Sequence, residues 1–245
     1  MIKSMQPDAP LGEIPKLGEV WRPVGRKAFV GSLFLVEVDK VQHLVPEEFS
    51  IVRLGAGRTL ATVFIGDYGP GSTLAYHEFG IQPALVRFRK ERSAWNSTLI
   101  VDTEDSMRGG MLLGVRKQLA EFDWQEHGES SGRICGECIL RQEGKEMVRI
   151  RYEQGSIAIP DLPIKISGIR DDMVITCVNR FKGRHRLSRV RFEVPEGSPI
   201  AWLRSFGRPV LSSVATKMRG AMGDQVRVAG FLPHRNPRRL ALTNS

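Results

Sequence analysis

Cysteine is scarce in this 245-residue chain, with Cys135, Cys138 and Cys177 the whole complement. Three thiols cannot all pair within one chain, which argues against a secreted disulfide scaffold. Aromatic residues make up only 7%, few for a protein that would stack nucleic-acid bases on its surface. No run approaches the roughly 18–20 apolar residues needed for a membrane-spanning helix. The stretch from Met1 to Pro10 carries no apolar core of signal-peptide length. These absences lead us to expect a protein of a reducing compartment, the cytoplasm, with no membrane partner. Acidic residues are the minority charge, 27 Asp+Glu against 36 Lys+Arg, which leaves a net charge of +9.

Hydrophobic residues at 41% and charged residues at 26% form an ordinary globular mixture, which rules out a wholly disordered chain. A chain of this size buries roughly 70–75% of its unfolded surface and needs no covalent staples. The Pro- and Gly-rich residues 1–19 read as an irregular N-terminal arm, and 20–245 as a single domain. Strand-like segments begin at Ala28–Val38, Thr59–Ile65 and Tyr76–Ile81, and Ala84–Arg89 with Ser97–Asp102 reads as a strand pair. Val41–Glu47 reads as a short helix ending at Pro46. Thr103 is placed to cap a helix from Glu104 towards Leu113, with acids in its first turn where the helix dipole favours them. Gly109 and Gly110 inside that helix cost roughly 1 kcal/mol each in propensity, so a close neighbour is expected there. Strands follow from Arg133 to Arg191. Ser198 and Pro199 then open a longer helix that presents Ile200, Leu203 and Phe206, and its stripe resumes after Pro209 at Val210, Val214 and Met218. About ten strand candidates against two helical segments give a mainly β (α+β) domain.

Several motifs fail on inspection. Arg180, Lys182, Arg184, Arg186, Arg189 and Arg191 form the densest basic cluster. From Leu187 onward, however, Val190, Phe192 and Val194 alternate with charged residues, the period of a half-buried strand. The positive charge then serves to attract a small anion, and no specific nucleic-acid contact is expected. Gly69–Leu74 lacks the third glycine and the strand–helix frame of a dinucleotide loop. Gly128–Gly132 matches a nucleophile elbow in letters only, because it precedes a strand. Cys135 and Cys138 have metal or redox spacing without a second pair, so no metal is expected.

The informative stretch is Tyr76-His77-Glu78-Phe79, followed by Val101-Asp102-Thr103-Glu104-Asp105-Ser106-Met107-Arg108-Gly109-Gly110 and by Gly114-Val115-Arg116-Lys117-Gln118-Leu119-Ala120. In this order, together with Leu44-Val45-Pro46-Glu47 and Leu162-Pro163-Ile164-Lys165-Ile166, the sequence resembles the acetoacetate decarboxylase superfamily over roughly residues 20–220. The resemblance implies a closed or cone-shaped β-barrel with a few helices, assembled into homo-oligomers. It also implies a lyase that forms a Schiff base with a small anionic oxo acid and uses no cofactor. In the family the first lysine of a Pro-Lys-Lys turn is the nucleophile, which places that role at Lys117. Glu78 becomes the acid/base or orienting group, and Arg26 or Lys27 the carboxylate anchor. Tyr76, Arg116 and Gln118 are the further substrate-binding positions.

The chemistry needs a lysine because a neutral amine condenses with a ketone, and the cationic imine then accepts the electrons of a breaking carbon bond. The sequence departs from the family where Arg116 replaces the proline and Gln118 the second lysine. A second family carboxylate falls near Thr62-Val63, where no acid stands. Three readings follow: a decarboxylase of a small β-keto acid, a pyruvate-type aldolase–dehydratase using the same lysine, and a non-catalytic ligand-binding barrel. A nucleic-acid-binding protein is the remaining alternative. Charge without groove-reading elements gives only counterion-release affinity, so any binding to duplex or single-stranded DNA should vanish by ~0.2 M salt. A filter-binding salt titration checks this, and a sequence-selective complex that survives would contradict it.

Overall fold

The fold is described from a computed structural model, over residues 19–128 and 133–232. The expected arm, apart from Glu19, and most of the Gly128–Gly132 motif lie outside the described residues.

Elements appear in chain order as follows. β1 (Gly25–Glu37) runs into a short helix α1 (Val38–Val41), a 3-10 turn at Gln42–Leu44, and β2 (Ser50–Ile51). β3 (Arg58–Tyr68) and β4 (Tyr76–Gln82) form a long antiparallel pair. β5 (Leu85–Phe88), β6 (Glu91–Trp95) and β7 (Thr98–Val101) lead to helix α2 (Glu104–Leu112). Next come β8 (Gln118–Leu119), β9 (Glu121–Gly128), β10 (Ile134–Gln142), β11 (Lys145–Ala158) and β12 (Ile164–Arg170). The chain then lays down β13 (Met173–Glu193), a 3-10 segment at Ala201–Phe206, and β14 (Leu211–Phe231).

The mainly β expectation holds, but the barrel is not closed. Strand pairing runs β2-β5-β6-β12-β13-β14-β1-β3-β4-β7-β8 and stops at its two ends, with β11, β10 and β9 branching from β13. The branch exists because β13 is long enough to pair with two strands in succession along one edge, and the extra residues at its bulges lie on its partner β14. Its first half pairs with β12 and its second half with β11, while β14 follows it with four register shifts. Each bulge bends the strand and re-aims the next stretch of ladder. Along Arg189–Val194 the even positions are buried or half-buried and the arginines exposed, as the alternation predicts.

Two sequence expectations are corrected. The segment from Ser198 to Met218 is not a long helix: one 3-10 turn buries Leu203 and Phe206, and β14 then starts at Leu211. Val214 and Met218, four apart, satisfy strand period 2 as well as a helical face, and pairing with both β1 and β13 settles it. The segments read as one strand pair are not partners either. β5 pairs with β2 and β6, whereas β7 pairs with β4 and β8.

Alternation along β3 and β4 divides the interior. Ala61, Val63, Ile65, Phe79 and Ile81 are fully buried on one face and join a core with Phe34, Leu140, Val148 and Ile150. The opposite face carries Phe64, Tyr68 and Tyr76, which pack with Trp21, Phe29 and Met222 in a second cluster. Cys138 lies in the first core, where burial pushes its thiol up and leaves it an unreactive apolar group. Cys135 is three residues away on the same strand and so points to the opposite face.

β12 is held by close backbone contact with the turn that follows α2. Ile169 N–H donates to Gly114 O at 2.9 Å. A Cβ on Gly168 would lie 2.1 Å from Leu113 O and 2.8 Å from the Gly114 carbonyl carbon. Backbone cannot step aside as a side chain can, so Gly168→Ala should cost about 1–3 kcal/mol of stability. A melting point several degrees below wild type by calorimetry is the expected result.

Candidate functional site

The second face of β4 carries Tyr76, Glu78 and Gln82, with Gly80 between them. Opposite stands the loop that leaves α2. Thr103 caps this helix as expected, its hydroxyl accepting from Ser106 N–H. After Leu112 the chain reverses through Gly114, whose φ of +69° lies in the left-handed region that favours glycine. Leu113 N–H and Val115 N–H both donate to Gly110 O at 3.0 Å. This reversal carries Lys117 back across the helix. A Cβ on Gly110 would meet Val115 O at 2.8 Å and Lys117 Cε at 2.9 Å. The close neighbour anticipated from the double glycine is therefore the stem of Lys117 itself.

Lys117 Nζ sits 2.8 Å from Glu78 Oε1, and the two side chains are only 6% and 7% exposed. Nζ also donates to Ser106 Oγ at 3.0 Å and lies 4.8 Å from the Tyr76 ring centre and 5.9 Å from that of Trp21. The Tyr68 hydroxyl donates to the other oxygen of Glu78 at 3.3 Å. Burial, with the Glu78 charge beside them, raises the Tyr68 and Tyr76 hydroxyls well above the usual range, so both stay protonated as donors. The ion pair opens on a cavity of about 60 Å³ walled by Trp21, Phe64, Leu99, Val115 and Ile166, with the amides of Gln82, Asn96 and Asn179 in its lining. By the usual water-sized measure this volume holds roughly four to six waters.

Of the residues singled out in the sequence, the structure brings Lys117, Glu78 and Tyr76 together. Arg116 and Gln118 flank Lys117 but are exposed and do not line the cavity, because the extended chain turns neighbours to opposite sides. Arg26 and Lys27, expected as carboxylate anchors, do not line the cavity. Arg26 pairs with Asp67 at 2.9 Å, while Lys27 donates to Trp124 O and lies 5.7 Å from that indole. The cause is a register shift between Gly25 and Phe29. It turns Lys27 to the same side as Ala28 and away from the face that Phe29 shares with the cavity. Where the second carboxylate was sought, Val63 points into the first core and Phe64 faces the cavity. Sequence reading missed Ser106, Tyr68, Trp21 and the three amides. Of these only Ser106, one turn before Gly110 in the capped helix, carried a local signal.

Behind the site, on the other face of β4, His77 is held between two aspartates. Its Nδ1 is 2.6 Å from Asp102 Oδ2, its backbone N–H donates to Asp102 Oδ1 at 2.8 Å, and its Nε2 is 3.7 Å from Asp67. His77 thus ties the strand that carries Glu78 to the residue just before the Thr103 cap.

A sequence model of the acetoacetate decarboxylase (ADC) family matches residues 9–164. The chain belongs to that family. No curated protein sequence matches it, but solved structures share its fold. Acetoacetate decarboxylase from Legionella pneumophila is 15% identical, covers 94% of each chain and superposes with a TM-score of 0.68. The enduracididine biosynthesis enzyme MppR, solved with pyruvate, is 16% identical with a TM-score of 0.65 over 94% of this chain and 98% of its own. An acetoacetate decarboxylase-like enzyme from Sphingomonas wittichii RW1 is 11% identical with a TM-score of 0.57 over 96% and 99%. At such identities the likeness speaks for the fold alone.

Burial works against charge on His77, but its hydrogen bond to Asp102 and the nearby Asp67 and Asp102 carboxylates outweigh it and raise the imidazole from 6.5 to about 9. A raised folded-state value stabilises the protein fully below the unfolded value, and the effect fades as pH climbs through about 9. His77→Gln should therefore lower stability by on the order of 3 kcal/mol near pH 6. The gap between the two proteins should close by about pH 10. Paired thermal melts across that range check the sign.

Proposed function

We propose that this member of the acetoacetate decarboxylase family is a Schiff-base lyase that decarboxylates a small β-keto acid, with Lys117 as nucleophile. The observation that carries this reading is the buried Lys117–Glu78 pair at the mouth of a small, apolar-walled cavity. A solvated structural lysine does not call for burial, a partner carboxylate and two aromatic faces. Proton transfer from Nζ to Glu78 across 2.8 Å frees the lone pair. The amine then adds to the ketone carbon, and the carbinolamine oxygen leaves as water with the proton returned by Glu78. The cationic imine draws in the electron pair of the bond to the carboxylate, releasing CO₂ and leaving a neutral enamine. A proton taken up from water and delivered through Glu78 adds at carbon, and water added to the re-formed iminium returns the ketone and the lysine ammonium paired with Glu78. Glu78 serves as the proton carrier, Tyr68 orients it, and Ser106 fixes the direction of Nζ.

Among the described residues that line the cavity, Lys117 is the one cation. A pyruvate-like acid in the aldolase–dehydratase reading needs its carboxylate held while the neighbouring methyl deprotonates. With Arg26 and Lys27 turned elsewhere, no second cation clamps it. A β-keto carboxylate near Glu78, by contrast, gains by departing as neutral CO₂. These points favour decarboxylation, although MppR was solved with pyruvate. The homo-oligomer that the family resemblance implies belongs to the same reading.

Borohydride reduction in the presence of acetoacetate should trap one adduct per chain, localised to Lys117 by peptide mass. Lys117→Ala and Lys117→Arg should both abolish it, the latter because guanidinium stays protonated. Glu78→Gln should slow CO₂ release by about 10²-fold or more. Exchange of the pyruvate methyl hydrogens for deuterium without CO₂ release from any β-keto acid would favour the aldolase reading. Binding without an adduct would favour the ligand-binding one.

A further inference from the structure

The cavity extends along β4 from Glu78 to Gln82, four residues apart, which at the strand rise is roughly 13 Å. Gly80 lies between them and has no room for a side chain: a Cβ there would be 2.2 Å from Phe64 Cζ and 2.7 Å from Leu99 Cδ2. The middle of the cavity is therefore apolar by construction, and its far end is not. Gln82 is 4% exposed, and its Nε2 donates to Asn96 Oδ1 at 2.8 Å. Its Oε1 is buried and has no hydrogen-bond partner among the described residues. The oxygen of a third amide, Asn179, is engaged, accepting from Gly223 N–H at 3.0 Å.

A buried amide oxygen without a donor is costly, and such a group is kept where something supplies the donor. Resting on the Schiff-base reading above, we infer that the Gln82–Asn96 pair selects a β-keto acid whose tail ends in an uncharged hydrogen-bond donor, a hydroxyl or primary amide. A second carboxylate does not fit: it offers Gln82 Oε1 no proton, and the lining residues offer it no cation beyond Lys117, already paired with Glu78. A plain alkyl tail fits the walls but leaves Oε1 unpaired. The amides read the tail, while Lys117 and Glu78 act on the ketone.

The test uses a homologous series of β-keto acids ending in methyl, hydroxyl or carboxylate, with wild type, Gln82→Met and Asn96→Ala. Borohydride trapping on Lys117 and CO₂ release give the reaction, and ligand-observed NMR gives binding whether or not an imine forms. At the chain length that spans the cavity, wild type should favour the hydroxyl-ended acid over the methyl-ended one by about tenfold in kcat/KM and in binding. Either substitution should bring that ratio towards one. Asn96→Ala covers the case in which Gln82→Met does not fold. Equal handling of the methyl and hydroxyl series by wild type, a preference for the carboxylate series, or a ratio unchanged in both variants overturns the inference. If no acid gives an adduct on Lys117, the Schiff-base reading falls, while the binding ratio still judges the amide pair. Absence of binding by every acid overturns both.

Discussion

Removing an ammonium from water is the constraint around which this molecule is organised. Lys117 and Glu78 are each almost fully buried. A single charge in such surroundings carries a penalty of several kcal/mol that only a well-placed partner offsets. The partner cannot drift, so both backbones must be fixed. Glu78 is fixed by cross-strand pairing with Gly66 on β3 and Val101 on β7. Lys117 is fixed by a helix capped at Thr103, a left-handed turn at Gly114 and passage over Gly110 so close that a methyl group would block it. A larger residue at Gly110 would act on the ion pair, not merely on the helix.

The same strand serves chemistry and scaffold on its two faces. Tyr76 and Glu78 point to the cavity, while His77 between them points to Asp67 and Asp102. Asp67 is held below the ordinary carboxylate range because the charges of His77 and Arg26 outweigh its own burial. Arg26 thus belongs to the frame that holds β4. Both networks hang on β4, so a shift of one strand residue would exchange the carboxylate that faces the cavity for an imidazole.

What the sequence made legible was local. Thr103 three residues before Ser106, the double glycine, and the alternation of Val190, Phe192 and Val194 each report a nearest-neighbour requirement, and each is met. The Lys117–Glu78–Tyr76 grouping was legible through the order of family-like segments, since nothing local distinguishes Lys117 from other lysines. What was not legible depends on distant partners. The length of β13, which pairs with β12 and then with β11, decides that the sheet branches, yet its residues read as an ordinary strand. The bulge before Phe29 decides which face Lys27 takes. Gln82, Asn96 and Asn179 come from separate strands and turns, and only the folded sheet brings them to one cavity.

On the proposed reading the charge balance of the site explains its direction. Ammonium and cationic imine carry the same charge at the same nitrogen, so Glu78 stabilises both, and condensation needs little electrostatic rearrangement. Carbon–carbon cleavage removes that cation, because the electron pair it releases neutralises the nitrogen. If Glu78 is then ionised, it faces a neutral enamine in an apolar enclosure, where an unpaired carboxylate is least favoured. Proton uptake and re-formation of an iminium restore the pair. A second lysine beside the first would have supplied a standing positive charge that weakens this dependence. With Gln118 there instead, and turned outward, the cycle rests on the alternation of charge at Nζ against one fixed carboxylate.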